Sequence, residues 1–236
     1  MSTFEESCQS LSSLSITKKY KIVSIEGNIG SGKSTLLSYL TQDLLDNTNV
    51  VFLKEPVDEW AEIKDVTGKT MLEKFYGNQE KYGFPFQMMA YISRLASFKD
   101  ALLKNPDATI FITERSLNTD KYVFAKMLFN QGKIEDVNYQ IYSKWFNTFA
   151  KDFEIDAYIY VNTDPEICHE RIIKRSRTGE DTIPMAYLSE CHEYHENMMN
   201  EINNEHKKIY LNGNIDIFDN KEELQKWINV IKEMIM

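Results

Sequence analysis

Cysteine is scarce in this 236-residue chain: there are three, Cys8, Cys168 and Cys191, an odd number with no close paired spacing. Neither a disulfide framework nor a zinc knuckle can be built from them, so a reducing compartment, the cytoplasm, is expected. Long apolar runs are also missing; none approaches the ~20 residues that a bilayer-spanning helix needs. Positive charge is in deficit, with 27 Lys and Arg against 36 Asp and Glu and a formal net charge of −9. That balance argues against the broad basic face of a nucleic-acid binder and suits a small ligand better. The expected partners therefore include no nucleic acid and no membrane.

What is present is enough apolar material for one substantial core, at 42% of residues, and the length does not demand a second domain. Residues 1–19, rich in Ser and without Arg, are expected to be a disordered tail ahead of one domain over 20–236. Short β-rich runs, KIVSIE, NVVFLKE, ATIFITE, DAYIYVN and KKIYLNG, alternate with helical periodicity over 32–46, 84–105, 117–131, 134–151, 164–176, 184–206 and 220–235. Apolar strands alternating with amphipathic helices predict a parallel sheet covered on both faces. The stretch KRSRTGEDTI, 174–183, is basic, then acidic, with a glycine, and reads as a mobile flap between two helices.

One motif carries chemistry by itself. Gly27-Asn28-Ile29-Gly30-Ser31-Gly32-Lys33-Ser34 fits G-x-x-x-x-G-K-[ST], after a strand and before a helix, with Thr35 continuing into that helix. The glycines let backbone N–H groups turn toward phosphate oxygens, and the helix N-terminus adds its partial positive charge. Lys33 is placed to reach the β- and γ-phosphates and Ser34 to ligand magnesium. Phosphate binding does not choose among switches, motors and small-molecule kinases. The acceptor has to be read from strand ends, because in a parallel sheet the C-terminal ends of the strands face the ligand crevice. The second strand ends near Glu55, a carboxylate able to take a proton from an acceptor hydroxyl. The third ends in Glu114-Arg115-Ser116, where Glu114 can hold the metal side and Arg115 can neutralise charge on the transferring group. Solvated acids and a surface ion pair are the ordinary alternatives at such positions. Arg171, Arg175 and Arg177 surround the flap, the first two on one helix face, and could converge on phosphates when it closes.

Together these segments resemble the deoxyribonucleoside kinases of the deoxycytidine, deoxyguanosine and deoxyadenosine kinase type, from about residue 20 to about 220. The likeness runs through GNIGSGKST, EPVDEW, MLEKFYGNQEKYGFPFQMMAYISRL, ERSLNTDKYVFA and RIIKRSRTGEDTIP. It implies an α/β P-loop kinase with a five-stranded parallel sheet, helices on both faces and a flexible lid, using ATP and Mg2+ to phosphorylate a nucleoside 5′-hydroxyl, and a homodimer. By the same resemblance, Glu55 is the general base, Arg115 contacts the 5′-oxygen region, and Glu114 faces magnesium. Trp60 lines the pocket, Gln87 pairs with the base, and Phe86 and Phe124 lie near its ring. Tyr76 and Glu180 hold the sugar 3′-hydroxyl, with Asp181 a neighbouring candidate for the carboxylate. Arg171, Arg175 and Arg177 bind donor phosphates, and the donor adenine rests near Asn212–Phe218. An arginine at 94 with an aspartate at 120 accompanies relatives acting on deoxycytidine or purine deoxynucleosides, where thymidine-preferring relatives usually lack the pair.

Two rivals share the cradle. A nucleoside monophosphate kinase needs positive charge where its acceptor phosphate sits, and Glu55 would repel that phosphate. A non-catalytic nucleotide-binding subunit has no use for Lys33, Ser34, Glu55, Glu114 and Arg115 together. His192 and His195 fall one residue short of H-E-x-x-H spacing and are read as helix-packing residues.

Overall fold

The computed structural model describes residues 18–177, 179–180, 182–203 and 205–235. The expected tail, apart from its last two residues, and Asp181 lie outside the described residues. Five parallel strands form one sheet: β1 (Lys21–Glu26), β2 (Val50–Leu53), β3 (Ile110–Glu114), β4 (Ala157–Asn162) and β5 (Lys207–Asn212), in the order β2-β3-β1-β4-β5. Around it run α1 (Lys33–Asp43), α2 (Val57–Glu62), α3 (Met71–Gly77), α4 (Gln79–Lys104), α5 (Leu117–Asn130, with a π-helical stretch at Asp120–Ala125), α6 (Asp136–Phe149), α7 (Pro165–Arg175), α8 (Met185–Glu201) and α9 (Lys221–Ile235). This is the α/β architecture expected from the sequence.

Strand periodicity explains why both faces are covered. Along β4, Ala157, Ile159 and Val161 point into one core with Leu36, Leu37 and Leu40 of α1 and Trp227 and Ile231 of α9. Tyr158 and Tyr160 point the other way, toward Tyr91 and Phe98 of α4, Tyr142 of α6 and Met199 of α8. A period of two with both phases apolar is what a strand buried on both faces requires. Each fully buried leucine of α1 stabilises this packing by about 1.5–3 kcal/mol.

Several boundaries differ from the sequence reading. The long helix begins at Gln79 instead of 84, because the Asn78 side chain accepts from the Lys81 N–H at 3.0 Å, and it carries Pro85 in its interior. Two short helices, α2 and α3, were not expected; α3 starts with a capping box in which Thr70 and Glu73 satisfy each other's backbone N–H. The helix expected over 117–131 contains a widened turn at Asp120–Ala125, where the Lys126 N–H reaches back to the Lys121 carbonyl. Wide turns of this kind occur often at functional sites, and this one lies beside the crevice at the C-terminal end of β1, where neighbouring connections leave in opposite directions along the sheet.

Candidate active site

At that crevice the strand ends converge on a cavity of about 530 Å³, a size suited to a small organic ligand. It runs from the glycine-rich turn to a slot between α2, α3, α4 and α8. Of the catalytic, phosphate-binding, substrate-binding and metal residues expected from the sequence, those described line it, except Gly27, Asn28, Arg94 and the neighbouring Ser116.

The phosphate end is built on the β1–α1 turn. Gly32 caps α1 with φ 103°, a left-handed conformation that suits glycine, and no side chain caps the first turn, so its N–H groups face the cavity. Gly30 lies so close to α7 that a Cβ would stand 2.5 Å from the Cys168 carbonyl oxygen. Ile29, Ser31 and Thr35 complete the lining, and the Asn28 amide donates to the Leu188 carbonyl at 2.8 Å, tying the turn to α8. Lys33 is buried and donates to the Asn28 carbonyl at 2.6 Å. Burial, helped by Arg115, brings its ammonium down to about 7. Ser34 donates to Glu114 Oε1 at 2.6 Å. A hydroxyl and a carboxylate meeting at the mouth of a phosphate cradle fit magnesium, which is typically held by one or two protein oxygens plus phosphate and water.

Between the two ends stands Glu55. Arg115 Nη1 donates to both of its oxygens at 2.7 Å, and Arg94 Nη2 donates to Oε1 at 3.0 Å. Burial would raise this carboxyl, but Arg115, then Arg94 and Lys33, outweigh it and hold the group at about 2. Arg115 itself has φ 63°, uncommon for a side-chain-bearing residue. Its guanidinium lies over the Phe124 ring at 5.2 Å, a cation–π contact. The turn is held by the Arg115 N–H donating to the Ile25 carbonyl and Thr113 Oγ1 donating to the Arg115 carbonyl.

The slot beyond is aromatic. Phe86 stacks on Phe75 at 4.4 Å and meets the Trp60 edge at 5.6 Å, and the Trp60 indole donates to Ser93 Oγ at 2.8 Å, which fixes its ring. Gln87 is buried and its amide has no hydrogen-bond partner among the described residues, leaving two donors and an acceptor for whatever fills the slot. Arg94 is buried and fully engaged: Nε donates to Asp120 Oδ2 at 3.0 Å and Nη1 to the Glu114 carbonyl at 2.7 Å. Burial pushes the Asp120 carboxyl up to about 6 against the pull of Arg94. Tyr76 meets Tyr187 edge to face at 6.0 Å, and burial, then the charge of Glu180, raise its phenol well above the usual value, so it stays a donor.

The flap arginines are occupied. Glu180 is buried and accepts from Arg175 and, at 3.0 Å, from Arg177 Nη1. Arg171 donates to the Gly213 carbonyl at 2.8 Å and the Ser31 carbonyl at 3.3 Å, joining the cradle to the loop after β5. That loop brings Ile215, Asp216 and Phe218 to the cavity lining beside the cradle. Tyr187 was missed by the sequence reading, since a tyrosine on a helix gives no signal of a cavity. His195 is buried, with Nδ1 2.7 Å from the Cys191 carbonyl, and stacks on Tyr160.

Comparison with known proteins agrees with this geometry. The family model described as deoxynucleoside kinase matches residues 23–236. A protein of fowlpox virus (strain NVSL) named "Probable deoxycytidine kinase" is 35% identical over 98% of this chain and 97% of its own length. The deoxycytidine kinase of Homo sapiens is 33% identical over 83% of this chain and 81% of its own. The mitochondrial thymidine kinase 2 of Homo sapiens is 32% identical over 76% of this chain and 64% of its own. With a cradle, a carboxylate between two arginines and an aromatic slot in one cavity, and a family match over nearly the whole length, the chain belongs to the deoxynucleoside kinase family and is an ATP-dependent kinase.

Proposed function

We propose that the protein transfers the γ-phosphoryl group of ATP to the 5′-hydroxyl of deoxycytidine or a purine deoxynucleoside, in preference to thymidine, as a step of nucleotide salvage. One observation carries this: the Glu55 carboxylate stands inside the cavity where the phosphate cradle meets the aromatic slot, held by Arg115 and Arg94. Glu55 accepts the proton of the attacking hydroxyl. A group held at about 2 is a weak base, and it suffices because the hydroxyl becomes acidic only as its oxygen bonds to phosphorus in a loose transition state. Arg115, on the same carboxylate, and Lys33 face the charge of the transferring group. Ser34 and Glu114 would hold magnesium, which would supply positive charge against the donor phosphates.

In the slot, Phe86 and Phe124 flank the nucleobase and Gln87 pairs with its edge. Tyr76 and Glu180 take the sugar 3′-hydroxyl; Asp181 lies outside the described residues. The Arg94–Asp120 pair narrows the far end and favours base edges with amino or ring-nitrogen groups over the thymine methyl. Arg171, Arg175 and Arg177 serve the donor phosphates, and the loop near Phe218 the adenine. Val137, Ile141, Trp145 and Phe149, four residues apart and exposed on α6, form an apolar stripe. A second copy of the chain covers it in a homodimer. No helix among the described residues is long and apolar enough to cross a membrane; with Cys168 and Cys191 free, a cytoplasmic setting fits.

The test is phosphate transfer from ATP to the four deoxyribonucleosides and their monophosphates. Deoxycytidine or a purine deoxynucleoside should be turned over fastest, and Glu55→Gln should lower kcat about 10²- to 10⁴-fold. Turnover of monophosphates alone, or of nothing, would overturn the proposal.

A further inference from the structure

Glu26 ends β1 immediately before the cradle, is fully buried, and has no Lys, Arg or His ion-pair partner among the described residues. Burying a carboxylate without a cation is costly unless hydrogen bonds satisfy it. Here hydroxyls do so. Ser24 Oγ and Ser116 Oγ donate to Oε1, each at 2.6 Å, and Thr119 Oγ1 donates to Oε2. All three hydroxyl residues are themselves fully buried.

The placement of two of these donors is informative. Ser116 follows Arg115, the residue at φ 63°, and Thr119 precedes Asp120, the first residue of the widened turn. Ser116 also accepts from the Thr119 N–H at 3.4 Å, which closes the group into one unit. We propose that Glu26 is a positioning residue whose carboxylate clamps Ser116 and Thr119, fixing Arg115 at the reacting phosphate relative to Asp120 at the nucleobase. The inference rests on the functional reading above for the roles of Arg115 and Asp120. Each oxygen serves one end: Oε1, through Ser116, the transfer chemistry, and Oε2, through Thr119, base recognition. Ser24 touches the same carboxylate from β1, away from both.

A clamp predicts a split that general loss of packing would not produce. With ATP and the preferred deoxynucleoside, Ser116→Ala should lower kcat about tenfold with little change in nucleoside KM, and Thr119→Val should raise that KM about tenfold with little change in kcat. Ser116→Thr and Thr119→Ser, which keep the hydroxyl, should restore most of each loss. Glu26→Gln should show both losses, and Ser24→Ala should stay within about twofold of the natural protein. Equal changes in kcat and KM for the two hydroxyl variants, no change, or a Ser24→Ala effect as large as theirs would overturn the clamp. Should Glu26→Gln fail to fold, the hydroxyl variants, which keep the carboxylate, decide. Amide hydrogen exchange separates this inference from the functional reading. If the natural protein phosphorylates no nucleoside, that reading falls, yet faster exchange over 114–120 in Thr119→Val and Ser116→Ala still supports the clamp, and unchanged exchange refutes it.

Discussion

The two ends of the cavity are held together by different kinds of contact. At the acceptor end, side chains hold one another: Arg94 bridges Asp120 and Glu55, Arg115 pairs with Glu55, and Phe75, Phe86 and Trp60 interlock. At the donor end, the cations lean on the protein itself: Lys33 on the Asn28 carbonyl, Arg171 on the Gly213 and Ser31 carbonyls, Arg175 and Arg177 on Glu180. Arg94 is nearly inaccessible, while the side chains of Arg175 and Arg177 are more than a third exposed. On the proposed function an acceptor would enter a site already shaped for it, whereas a polyphosphate would draw on cations that now lean on backbone carbonyls and on Glu180. On that reading, preorganisation at one end would serve selectivity, and exchangeable contacts at the other would let a donor and its product come and go.

The largest effect that sharpens this contrast belongs to Arg94. Arg94→Met leaves Asp120 buried without its cation and should cost about 3–5 kcal/mol in denaturant unfolding. Adding Asp120→Ala removes the stranded charge and should recover most of that loss. If the double variant is as unstable as the single one, the acceptor end is not organised by this pair. Glu55 keeps Arg115 in both variants, so a folded double variant should retain transfer to whichever nucleoside it still admits.

Lys33 supplies the corresponding test at the donor end. Its ammonium sits at about 7 in the free protein, lowered by burial and Arg115, and a triphosphate beside it would raise it again. Below pH 7 the lysine is already charged and ATP binding takes up no proton there. Above pH 7, binding should draw up to about one proton, and affinity should fall by up to about tenfold per pH unit. Calorimetry in buffers of different ionisation enthalpy at pH 6 and pH 8 measures this. For the free protein the sign is also set: a base lowered on folding binds fewer protons than in the unfolded chain, so this group makes stability rise with pH from about 7 toward its ordinary value of 10.5. Lys33→Met should abolish both effects.

How much of this could be read from the sequence depends on the range of the contacts. The cradle is local, and its spacing alone places Lys33 and Ser34. The strands were legible as short β-rich runs, with both phases of the alternation apolar in β2 and β4, and strand ends in a parallel sheet point to Glu55, Glu114 and Arg115 without further information. Helices α2 and α3 were missed because six or seven residues are too few to show periodicity, although Thr70 and Glu73 form a capping signature that marks the start of α3. The widened turn at Asp120 has no signature of its own, and the pairing of Asp120 with Arg94, 26 residues away, was reached only through the resemblance. The partners of Arg171 are backbone carbonyls and the Glu26 group depends on β1 lying beside β3. Such contacts follow only from the assembled sheet.

The smallest expected effect tests whether the flap belongs to the donor end or to both. Glu180 is buried and lines the cavity, yet its partners Arg175 and Arg177 are partly solvated. Glu180→Gln keeps the shape and one acceptor, and because solvent screens the arginines it should cost no more than about 1 kcal/mol of stability. Its kinetic signature is the informative part. If Glu180 serves the sugar as well as the arginines, nucleoside KM should rise several-fold. The KM for ATP should stay the same or fall slightly, because Arg175 and Arg177 are released toward the phosphates. A rise confined to the ATP KM would assign Glu180 wholly to the donor end. The acceptor end would then consist only of the side chains that α2, α3, α4, α5 and α8 hold in place.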